Sequence, residues 1–156
     1  MTNATALAHA TNTLNRSFAA PPSAVFAAWA DAEARATWGS PAPNVTLRQE
    51  EAAFEVGKGD RTWCVVDGKD CYLVLTQFLD IVTDTRIVLV ETVSDGDATI
   101  GISLASAEFI PQGTGTHLRV TLQAVGIGGS DFERDVAAGW GSALDGLGRL
   151  LLKAAA

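Results

Sequence analysis

The chain has 156 residues, 47% of them hydrophobic, and a formal net charge of −7. That length and apolar content suit one domain with a real core and exclude a disordered chain. The acidic balance speaks against a nucleic-acid surface, which needs a basic stripe. No apolar run is long enough to span a membrane, and no basic stretch followed by an apolar core marks a signal peptide. The two cysteines, Cys64 and Cys71, make no disulfide framework. Free, partly buried thiols and a cytoplasmic location are the expectation.

Met1 to Asn12 is an Ala/Thr/Asn stretch without periodicity, expected to be a flexible tail ahead of a single domain over residues 13–152. Thr13 to Ala19 predicts a first strand, stopped by Pro21 and Pro22, either of which suits the first turn of a helix. Val25, Phe26 and Trp29 mark one face of that short helix. Asp31 can cap a second helix that ends near Trp38, before the breaker cluster Gly39 to Pro43.

From Asn44 the pattern is strand after strand. Val45 to Phe54 meets a bend at Gly57-Lys58-Gly59, and Asp60 to Val66 turns through Asp67-Gly68 into Asp70 to Leu79. Arg86 to Val93, Ala98 to Phe109 and Thr116 to Ala124 follow, separated by short turns that favour an antiparallel meander. Gly126, Gly128 and Gly129 then form a joint, with Ser130 or Asp131 as cap of the last segment. In that segment, Asp131 to Leu151, the residues Phe132, Val136, Trp140, Ala143, Leu144, Leu147 and Leu151 recur at helical spacing. A long helix with a broad apolar stripe needs an apolar sheet face to cover. The fold class is therefore α+β, an antiparallel sheet against one long helix.

The faces of several strands can be assigned. Leu118, Val120, Leu122 and Ala124 alternate with polar residues and send His117 outward. Arg61, Trp63 and Val65 share one face of their strand; Leu73, Leu75, Gln77 and Leu79 share one face of the next. Ile87, Leu89, Glu91 and Val93 form an oily row in which Glu91 is the odd member. A carboxylate there must reach water, find a partner or keep its proton.

Arg16 to Pro22, Val25-Phe26-Ala27-Ala28-Trp29 and Trp38 resemble the opening signature of the activator of heat-shock-chaperone ATPase homologue family. Tyr72 and Phe78-Leu79-Asp80-Ile81 resemble its central strand, and Gly139-Trp140 with Leu144, Leu147 and Leu151 its closing helix. The resemblance covers roughly residues 13 to 152. It implies the helix-grip fold of the pollen-allergen-like, lipid-transfer and polyketide-cyclase proteins: a curved sheet of six or seven strands around the C-terminal helix, two short helices after the first strand, and often an internal cavity. Thr37-Trp38-Gly39-Ser40-Pro41 and Glu55-Val56-Gly57-Lys58-Gly59 depart from the family's usual Trp-Trp and Arg-Pro-Gly-Gly stretches. The resemblance brings no shared catalytic set.

Enzyme motifs are thin. His9 and His117 are the only histidines, which gives no zinc cluster, and neither a Gly-x-Ser-x-Gly elbow nor a phosphate loop is present. No cofactor or metal is expected. The side chains expected to project between sheet and helix are Arg61, Trp63, Leu75, Gln77, Glu91 and Trp140, an apolar set with a few polar groups, as small-molecule pockets have. A salt bridge from Glu91 to Arg61 would remove the oddity of the carboxylate. The leading expectation is a protein that binds an apolar or aromatic small molecule. A protein-interaction or chaperone-regulator-like module, and a cyclase- or hydrolase-like enzyme using Glu91, are the alternatives. Gly139, Gly141, Gly146 and Gly148 in the last helix imply close backbone approach to the sheet or to a second copy, a candidate homodimer.

Overall fold

The computed structural model describes residues 5–156. The chain opens with β1 (Leu7–Phe18) and then makes α1 (Pro22–Ala30), with Pro21 at its N-cap, where the missing N–H costs nothing. Asp31 accepts a hydrogen bond from the Glu33 N–H at 3.0 Å and so caps α2 (Ala32–Trp38). There follow β2 (Val45–Glu51), β3 (Gly59–Val66), β4 (Lys69–Val82), β5 (Arg86–Asp95), β6 (Ala98–Gln112), β7 (Gly115–Ile127) and α3 (Phe132–Ala155). The strands form one seven-stranded antiparallel sheet in the order β1-β7-β6-β5-β4-β3-β2. Asp67 and Gly68 both have positive φ, the two-residue turn that matches strand twist, and join β3 to β4.

The expected tail is corrected in part. Leu7 to Asn12 belong to β1 and pair with Ile127 to Leu122 of β7; residues 1–4 lie outside the described region. Strand pairing is satisfied by backbone hydrogen bonds, so a stretch of Ala, Thr and Asn without apolar alternation can still extend a strand. At the start of α3, Asp131 is in the left-handed region and makes no side-chain cap. Ser130 supplies it instead, accepting from the Phe132 N–H at 3.3 Å.

The core lies where the sheet meets the helices. Leu118, Val120 and Leu122 of β7 and Leu144 and Leu147 of α3 are fully buried, each burial contributing roughly 1.5–3 kcal/mol. The α3 backbone runs close to β1, β7 and β6 and to both short helices, but not to β2, β3, β4 or β5. About half of the sheet's concave face is therefore left uncovered by α3, with α2 close only to β2, and that geometry makes room for a cavity.

The α3 glycines serve different ends. A Cβ on Gly146 would lie 2.7 Å from the Trp38 carbonyl oxygen, whereas one on Gly139 would meet nothing within 4 Å. The close approach is thus to α2 within the same chain, and only Gly146 is forced by backbone. We expect Gly146→Ala to destabilise by about 1 kcal/mol, because overpacking outweighs the gain in helix propensity. Gly139→Ala is expected to stabilise by about 0.5–1 kcal/mol, since it gains propensity without a clash. Denaturant unfolding of the two variants checks the contrast, and equal effects would contradict this seating of α3.

Candidate functional site

Between α3, α2 and the concave face of β2 to β5 lies a cavity of about 260 Å³. Its walls are largely apolar: Trp29, Trp38, Leu47, Val74, Leu89 and Ala143 contribute, with Trp140 and Gly139 from α3. The aromatic part is built as one interlocked cluster. Trp29 packs on Trp38 at 5.0 Å between ring centroids, on Phe109 at 5.7 Å and on Trp140 at 5.9 Å. Trp38 donates its Nε1–H to the Ala28 carbonyl at 2.9 Å, which fixes its ring against α1.

One polar row crosses this otherwise oily face. Asp60 of β3 pairs with Thr76 of β4, Thr76 with Glu91 of β5, and Glu91 with Ser103 of β6. Asp60 is closed off by Arg35, whose Nε and Nη2 donate to its two carboxylate oxygens at 3.0 and 2.9 Å. Arg35 Nη1 donates to the carbonyls of Trp29 and Ala30, and the guanidinium lies 5.6 and 5.5 Å from the ring centroids of Phe54 and Phe78. Both members of this pair are buried, so each compensates a charge the other could not carry alone.

Glu91 has no such partner. It accepts one hydrogen bond, from Trp140 Nε1 at 3.1 Å. Burial pushes its carboxyl up to about 7; the Trp140 bond works against that shift and repulsion from Asp60 adds to it. Cys64, also on the cavity wall, is pushed up to about 11, mainly by burial and further by Glu91 and Cys71, so its thiol keeps its proton near neutrality. The Ser103 hydroxyl, next to Glu91 across the strand pair, is fully buried without a hydrogen-bond partner.

Of the six side chains the sequence points to, Glu91 and Trp140 line the cavity and touch each other. Arg61, Trp63, Leu75 and Gln77 do not; they lie on the convex face. Arg61 Nε and Trp63 Nε1 both donate to Glu50, at 2.7 and 2.9 Å, and Leu75 is 42% exposed. The Arg61–Glu91 bridge that would have removed the oddity of the carboxylate does not form: Arg61 pairs with Glu50, whose carboxyl it holds below the usual range. The physical reason is register. Glu91 stands opposite Thr76, so it shares a face with Asp60, Thr62, Val74 and Thr76, the alternate residues of β3 and β4. Trp29, Arg35, Trp38, Asp60, Thr62 and Thr76 are the site residues that sequence reasoning missed. For Asp60 and Thr76 the signal was the row they share with Glu91; Trp29, Arg35 and Trp38 come from α1 and α2 and carried no such signal. Among the described residues no His, Cys, Asp and Glu cluster is arranged to hold a metal ion.

The buried carboxyl makes stability depend on pH. The folded state holds the Glu91 proton more tightly than the unfolded chain, whose ordinary value is 4.5. The stabilisation is complete below about pH 4.5 and is lost as pH rises through about 7. Relative to Glu91→Gln, the unaltered protein is expected to lose up to about 3 kcal/mol over that interval and to converge with it at acid pH. Urea unfolding of both proteins at several pH values measures this, and parallel curves would contradict it.

The family model described as Activator of Hsp90 ATPase homolog 1-like protein matches residues 19–151. No curated protein matches the sequence. Among solved structures, a protein from Rhizobium leguminosarum is similar at 25% identity and a TM-score of 0.84, covering 95% of this chain and 97% of its own. A protein from Rhizobium loti is similar at 27% identity and a TM-score of 0.80, over 92% and 98%. The allergen Ara h 8.0201, at 16% identity and a TM-score of 0.71 over 94% and 99%, shares the fold. The helix-grip architecture, the aromatic opening signature and the family match agree, and the chain belongs to the Activator of Hsp90 ATPase homolog 1-like family.

Proposed function

We propose that this protein binds a small hydrophobic, aromatic-bearing molecule in the cavity between α3 and the β2–β5 half of the sheet. The observation that carries the reading is the cavity itself: an apolar, tryptophan-rich space with a single uncompensated ionisable group at its polar end. Ligand sites are concave and mostly apolar, with few, fixed polar groups that orient the guest. At about 260 Å³ the space suits a guest of one or two fused rings rather than a long lipid. The likeness to a fold that commonly holds hydrophobic ligands supports the same reading.

The walls are suited to the task because they are set before any ligand arrives. Trp29 is 1% exposed and locked by three aromatic neighbours, and Trp140 is tied to Glu91. Little ordering is then needed on binding, which favours affinity for a small guest.

Gly139 offers a direct test, since its missing side chain leaves open space on the cavity wall. Gly139→Phe is expected to weaken binding of 2-naphthol at least tenfold while the circular dichroism spectrum is retained. Leu75→Ala, on the convex face, is expected to leave binding unchanged. Calorimetric titration checks both. Binding indifferent to Gly139→Phe, or no binding of 2-naphthol to the unaltered protein, would contradict the reading.

A further inference from the structure

The electrostatics of the cavity select among hydrophobic guests. Among the described residues Arg35 is the only lysine or arginine on the lining, and four of its N–H groups are already committed to Asp60 and to two backbone carbonyls. An anionic guest would therefore find no free cation and would face Glu91 and Asp60. Glu91 is the reverse case. One Trp140 bond leaves most of its acceptor capacity unused, and no side-chain cation reaches it. The Ser103 hydroxyl beside it has no partner either. Tryptophan rings flank the space around this carboxylate, and their π-faces attract cations.

We propose that the cavity is selective for cationic guests: a small aromatic amine whose ammonium ion sits on Glu91 and whose ring lies among Trp29, Trp38 and Trp140. The inference rests on the ligand-binding reading above and narrows it to a chemical class. The amine supplies the opposite charge that the fold withholds from Glu91, so binding brings the carboxylate to its ionised form. Two groups act on its titration: the Trp140 N–H from α3 favours the carboxylate, and Asp60 of β3 opposes it. Cys64 of β3 and Arg35 of α2 also line the cavity, the latter paired with Asp60. An uncharged guest gains nothing from Glu91 beyond a hydrogen bond, and a carboxylate guest is repelled.

A matched series of three probes tests this: tryptamine, 3-ethylindole and indole-3-propionate, which share a ring and differ in charge. At pH 7.5 tryptamine is expected to bind at least tenfold more tightly than 3-ethylindole, and indole-3-propionate at least tenfold more weakly. Glu91→Gln is expected to reduce the tryptamine advantage to less than threefold and to leave 3-ethylindole within twofold. The unaltered protein gives an independent reading. Tryptamine keeps its ammonium charge between pH 8 and 5, so its affinity is expected to fall as Glu91 takes up a proton, while that of 3-ethylindole stays flat. Binding of 3-ethylindole with no preference for tryptamine, or equal binding of indole-3-propionate, would overturn the charge selectivity and leave the cavity reading standing. Failure of all three probes to bind would overturn both.

Discussion

Arg35 reaches from α2 into the concave side of the sheet and holds Asp60 through two parallel hydrogen bonds, and much of the site's character follows from that contact. Two charges taken out of water are tolerable only when paired and hydrogen-bonded. Here the carbonyls of Trp29 and Ala30 and the rings of Phe54 and Phe78 complete the shell of the cation. The pair fastens the short helices to β3 and so sets the end wall of the cavity. It also removes the one basic group that the described residues place on the lining from use by a guest. The carboxyl on the lining that has no cationic partner among the described residues is Glu91.

The cavity is a consequence of how one helix covers a sheet wider than itself. The α3 backbone approaches β1, β7 and β6, where Leu118, Val120 and Leu122 face Leu144 and Leu147, and does not extend over the far half of the sheet, where only α2 comes close, at the β2 edge. Trp140 reaches into that half with a large ring, and Gly139 beside it adds no bulk. Tight packing on one side and open space on the other thus come from the same helix. The stable half carries the fold, which frees the other half to hold polar groups that a filled core would reject.

Most of the architecture was legible in the sequence, because long periodic segments and turn residues act locally. The α3 stripe, the Asp67-Gly68 turn, the Asp31 cap and the outward His117 were all readable from spacing alone. The site was half legible. Glu91 stood out as a carboxylate in an oily row, and Trp140 as an aromatic on the apolar stripe. Arg61, Trp63, Leu75 and Gln77 lie on the convex face because in these strands the more apolar row is not the inward one. In this sheet the concave strands of the site carry Asp60, Thr62 and Thr76, while the convex side carries Trp63 and Leu75. Alternation groups Arg61 with Trp63 and Leu75 with Gln77, as the unbroken register over these stretches does, but it does not say which of the two faces is concave. The pairing of Leu7 to Asn12 with β7 had no local signal, since its partners lie more than a hundred residues away.

Glu91 is a largely enclosed carboxyl group that the described residues leave without a counter-charge. Its titration can be observed directly by following the Glu91 side-chain carbon with NMR in the unliganded protein. A midpoint near 7, which moves down when an aromatic amine is added, is the predicted result. A midpoint in the ordinary carboxylate range near 4, unmoved by the amine, would mean that water or a cation already serves Glu91, and would contradict the assignment of this end of the cavity as the polar anchor for a guest.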